Sequence, residues 1–90
     1  MRVYRQGDVL IVRSSIPADA APAQPTARGY VLAEGEATGH AHTIEATPNV
    51  QALCLADALF LRVSAPVKVW HQEHAPILLP EGDYQVVRQV

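Results

Sequence analysis

The chain carries a single cysteine, Cys54, so no intramolecular disulfide can form. It has no apolar run near the roughly 20 residues that a membrane-crossing helix requires. Its opening stretch, Met1 to Gln6, lacks the apolar centre of a secretory signal. Charge of one sign is also missing. Seven Lys and Arg stand against nine Asp and Glu, giving a net charge of −2 with no basic stripe for a phosphate backbone. These absences argue against a disulfide scaffold, a membrane span and a nucleic-acid partner, and they set the expectation of a cytoplasmic chain. No segment sustains a helical period over three turns. No Ser-His-Asp arrangement or phosphate-cradling glycine loop points to metal-free catalysis.

The hydrophobic content of 49% belongs to a globular protein, and 90 residues allow one domain. A chain this short buries a modest share of its surface, so a metal or a partner subunit would add stability.

Strand signals recur along the chain. Val9-Leu10-Ile11-Val12 reads as a buried strand opened by a turn at Gly7-Asp8. Residues 14–29 hold Pro17, Pro22 and Pro25 without either period, which predicts an exposed, mobile loop, the alternative being a short helix over Ala18 to Ala21 stopped by Pro22. Tyr30 to Ala33 resumes strand character, and Gly35 and Gly39 predict a bulge or tight turn. A short alternating segment runs from His40 to Glu45. Val50 to Val63 reads as a hairpin turning at Ala56-Asp57, with Cys54 expected as a small buried hydrophobe. Val67 to His71 alternates, Ile77-Leu78-Leu79 is an edge-like strand between prolines, and Tyr84 to Val90 is the last strand. The expected fold is all-β: a small single-domain barrel or sandwich of about eight short strands. Trp70 alternates away from His71 and is expected to be a packing anchor. Tyr84, after the Gly82 turn, is expected in the core.

Four histidines form two close pairs, His40 with His42 and His71 with His74. Imidazole is the commonest protein metal ligand. Strand residues two apart share a face, so His40 and His42 project together, with Ile44 continuing their side. His71 shares parity with Val67 and Val69 and points to the rim of the core if they point inward. His74 has the wrong parity and joins the others only if the chain bends through Gln72-Glu73. Three or four imidazoles suit zinc, nickel, iron or copper. Glu36, Glu45 and Glu73 are the available carboxylates, with Glu45 disfavoured by parity.

Gly39-His40-Ala41-His42-Thr43-Ile44-Glu45 and Leu79-Pro80-Glu81-Gly82-Asp83-Tyr84-Gln85 together resemble a reduced form of the two cupin motifs. The resemblance implies a jelly-roll-like barrel with a divalent metal inside, held by His40 and His42. Glu45 follows His42 more closely than the family pattern has it, and Gln85 stands where the second motif places a histidine. The resemblance therefore gives no role to His71 or His74.

Two readings of function follow. In the first, a small metal-binding β protein uses His40, His42, His71 and His74, with catalysis left open and a small-molecule ligand as its partner. Glu36, Glu73 and Tyr84 are its candidates for acid-base work. In the second, a non-enzymatic module forms a homo-oligomer with the histidine pairs at the surface or at subunit contacts. The imidazoles there could also make the interface respond to pH.

Overall fold

The computed structural model describes residues 3–35 and 39–89. Ten strands follow one another: β1 (Val3–Gln6), β2 (Val9–Arg13), β3 (Ala21–Pro22), β4 (Tyr30–Glu34), β5 (Ala41–Ile44), β6 (Val50–Leu55), β7 (Ala58–Val63), β8 (Val67–Val69), β9 (Ile77–Leu79) and β10 (Gly82–Arg88). Among the described residues no helix is long and apolar enough to cross a membrane.

Six strands pair antiparallel in the order β1-β2-β10-β7-β6-β3, while β4 pairs with β5 and β8 with β9. Thr43 and Trp70 tie the two small ladders together. Each donates its backbone N–H to the other's carbonyl, at 2.9 and 2.8 Å. The all-β class is as expected, but among the described residues the sheets do not close into a barrel. One edge of the large sheet is β3, two residues long, whose Pro22 has no N–H with which to extend the pairing. At the other edge β9 lies beside β1 without joining its ladder.

Alternation explains the core. Val9 and Ile11 of β2, Leu61 and Val63 of β7, Val50 and Ala52 of β6, and Tyr84 of β10 pack with Leu32, Ile44, Val67, Val69 and Leu79 from the small ladders. Tyr84 is fully buried as expected, and its hydroxyl donates to the Pro80 carbonyl at 2.7 Å. The strands beyond the expected eight are β1, which forms a hairpin with β2 around Gly7-Asp8, and β3, which lies inside the Pro/Ala-rich segment. Gly7 has φ +60, the positive value that a type II′ loop needs at its first central residue.

Two expectations fail. Cys54 is exposed, not buried. It stands next to last in β6 against the two-residue edge strand β3, too far from the sheet centre for its shared parity with Ala52 to bury it. Trp70 is 45% exposed and anchors no core. Its parity sends it outward from β8, where Lys68 Nζ sits 5.3 Å from the ring centroid.

Candidate functional site

Three separate parts of the chain meet at one cleft of about 410 Å³, lined by Asp8, Gly35, His40, His42, His71, Glu73 and His74. The β1–β2 turn supplies Asp8. His40 immediately precedes β5, and His42 sits within it. His71 follows β8, and a bend through Gln72 and Glu73 returns His74 to the same side. The bend that parity demanded is present, and the two histidine pairs meet. Ring centroids lie 4.4 Å apart for His42 and His71, 4.6 Å for His71 and His74, and 5.8 Å for His40 and His71. His42 and His74 are nearly parallel at 6.1 Å, with an interplanar angle of 12°.

His42 is the buried member, at 1% exposure. Its Nδ1 lies 2.8 Å from Oε1 of Gln6, and its Nε2 lies 3.4 Å from Oδ1 of Asp8. Burial, and then the neighbouring His71, hold its proton affinity below the ordinary histidine range, although Asp8 pulls the other way. Asp8 is itself held below the usual carboxylate range, chiefly by the hydrogen bond from Arg88, whose Nε lies 3.0 Å from Oδ2. The net effect favours the neutral imidazole. In the neutral tautomer that donates Nδ1–H to Gln6, the Nε2 lone pair and the Asp8 carboxylate are two acceptors facing each other; in the other, Nε2–H points to Asp8.

The other imidazoles have their own constraints. His40 places Nδ1 3.1 Å from Oε1 of Glu73, which leaves its Nε2 for other partners. His71 accepts the backbone N–H of Glu73 on Nδ1 at 3.0 Å, so its neutral form carries the proton on Nε2. Burial, and then the charges of His74 and His40, lower the proton affinity of His71. Gln72 clamps the bend to the approach of β5: its Oε1 accepts from the Ala41 N–H at 2.9 Å and its Nε2 donates to the Gly39 carbonyl at 3.1 Å. His74 lies over Gly7. A Cβ at position 7 would come within 2.7 Å of the His74 Nε2.

All four histidines singled out in the sequence thus line one cleft, together with Glu73. Glu45 instead lines the clefts beside Trp70, and Glu36 lies outside the described residues. Among the described residues no set of three or more His, Cys, Asp or Glu side chains is arranged as a metal-ligand group. His40 and His42 each face a side-chain oxygen at Nδ1, a contact compatible with a free Nε2, while His71 spends a lone pair on the Glu73 N–H. Sequence reasoning missed Gln6 and Asp8. The alternation of β1 was the one signal for Gln6, and nothing local marked Asp8 beyond its place in a turn.

A family model described as a domain of unknown function (DUF8820) matches residues 5–89. No curated protein and no solved structure matches the chain.

Proposed function

We propose that this chain, which belongs to the DUF8820 family, binds a divalent transition metal in the histidine cleft, with Nε2 of His42 and the carboxylate of Asp8 as its first two ligands. One observation carries the reading. The buried His42 imidazole places Nε2 3.4 Å from the Asp8 carboxylate, and in the tautomer with its proton on Nδ1 toward Gln6 these are two acceptors that a cation between them reconciles. A proton would serve, but burial and the adjacent imidazoles disfavour it. A metal ion brings higher charge and takes the neutral imidazole as it stands.

His40, His71 and His74 supply the further imidazoles. The cupin resemblance of Gly39 to Glu45 points the same way for His40 and His42. His71 joins only when its bond from the Glu73 N–H breaks, because either ring nitrogen can bind metal only after Nδ1 gives up that donor. Binding is therefore coupled to a rearrangement of the bend at residues 71–73. Mainly nitrogen donors with one carboxylate suit zinc, nickel, iron or copper, whereas calcium and magnesium require oxygen. A metal held there would act as a Lewis acid toward a small oxygen-bearing ligand in the open cleft. The free, exposed thiol of Cys54 suits the reducing cytoplasm.

The test is elemental analysis of protein purified without a His tag, paired with zinc titration calorimetry. The expected result is one metal per chain, lost in the His42→Ala variant. Metal-free protein whose melting temperature is unmoved by zinc, nickel or iron would overturn the proposal.

A further inference from the structure

We infer that Gln6 is a positioning residue that fixes the tautomer of His42, keeping the proton on Nδ1 and the lone pair of Nε2 toward the cleft. The consequence for metal affinity rests on the reading above, whereas the tautomer is a property of the metal-free chain.

Gln6 ends β1 and is 3% exposed. A carboxamide can present either its oxygen or its nitrogen to a neighbour, so what the other half of the group bonds to decides the matter. The Gln6 Nε2 donates to the carbonyls of Val69 and Ala75, each at 3.0 Å. Flipping the amide would set its oxygen against both carbonyls and take the donor from the buried Val69 carbonyl. Oε1 therefore faces His42, and only an Nδ1–H satisfies it at 2.8 Å.

Asp8 competes for the same proton. Its carboxylate lies 3.4 Å from Nε2 and would favour the opposite tautomer if Gln6 offered no acceptor. Arg88 already occupies the other carboxylate oxygen and weakens its pull. Gln6 has a second effect through the same amide. Val69 and Ala75 flank the segment that carries His71 and His74, so one side chain sets the tautomer of one candidate ligand and tethers the backbone of two others.

The experiment is long-range proton–nitrogen NMR of the imidazoles in the full, 15N-labelled, metal-free chain at about pH 8, where histidine is neutral. The expected spectrum shows a pyrrole-like Nδ1 and a pyridine-like Nε2 for His42. In Gln6→Met the acceptor is gone, Asp8 draws the proton to Nε2, and zinc affinity falls about 10–100-fold. In Gln6→Glu an acceptor remains and the original tautomer persists, although both tethers are lost. A pyridine-like Nδ1 in the unmodified chain overturns the inference, as does an unchanged tautomer in Gln6→Met. Should Gln6→Met fail to fold, the spectrum of the unmodified chain decides alone. The expected tautomer without any zinc binding supports the role of Gln6 and sinks the metal reading. Zinc binding with the opposite tautomer does the reverse.

Discussion

Nε2 of His42 and Oδ1 of Asp8 face each other at 3.4 Å, while Nδ1 lies 2.8 Å from Oε1 of Gln6 on the far side of the ring, the contact from which we infer that the proton sits on Nδ1. The Asp8 contact separates the needs of the metal-free protein from those of the proposed complex. In Asp8→Asn, the amide N–H can donate to Nε2 and satisfy it without a cation. The lost ion pair with Arg88 is surface-exposed and worth little. The metal-free variant should therefore melt at the same temperature or slightly higher, gaining at most the ~1 kcal/mol of one hydrogen bond. Its zinc affinity should fall by at least the ~10–100-fold that losing an outer-shell partner costs. Thermal melts and competition titration check both halves. Equal zinc affinity in the two proteins would remove Asp8 from the ligand set.

Gly7 couples the hairpin to the cleft. Its φ of +60 costs an L-residue about 1–2 kcal/mol, and an added methyl would press on the His74 ring. The ring ends an exposed side chain and can swing aside, so the backbone dominates the stability loss while the clash moves the histidine. Gly7→Ala should lower the unfolding free energy by about 1–2 kcal/mol and weaken zinc binding as well. Urea unfolding and calorimetry read the two effects separately. A less stable variant with undiminished zinc affinity would place His74 outside the ligand set.

Acid should destabilise the metal-free protein in two windows. His42 and His71 both have proton affinities lowered in the folded state, first by burial and then by neighbouring imidazoles. Asp8, His71 and His74 are the titratable groups that face His42. As pH falls below about 6.5, the unfolded chain takes up protons that the folded one refuses, so stability drops toward the folded-state values. Asp8 is also lowered, by Arg88, and its contribution is present above about pH 4 and lost below it. Urea midpoints in chelator should thus decline from about pH 7.5 to about pH 5, with a shallower decline for His42→Gln. A midpoint that holds or rises over that range would contradict the assignment.

Period-2 alternation made most of this fold legible. It placed the β6–β7 hairpin, the inward valines of β8 and the parity of His71. The convergence of the two histidine pairs was conditional on a bend at Gln72-Glu73, because parity constrains residues only while the strand continues. Other features had no local signature. Gln6 and Asp8 meet His42 across a sequence separation of more than thirty residues, through pairings that a one-dimensional pattern does not encode. Trp70 and Cys54 were misread because parity says which side a residue faces, not whether anything covers that side.

The β6–β7 turn offers a stability prediction independent of the cleft. Leu55 pairs with Ala58, leaving Ala56 and Asp57 as a two-residue loop. Ala56 has φ +51, the only positive value for a non-glycine among the described residues. A two-residue hairpin loop of the II′ kind requires that conformation at its first position, where glycine is the favoured residue. Alanine pays for it through contact between its Cβ and the backbone, at about 1–2 kcal/mol. Glycine removes that strain but gives the unfolded chain more freedom to lose, which returns part of the gain. Ala56→Gly should therefore stabilise the protein by about 0.5–1 kcal/mol, seen as a higher urea midpoint with an unchanged slope. Zinc affinity should not move, since the turn contributes nothing to the lining of the cleft. A lower midpoint would mean that the loop adopts a different conformation at Ala56.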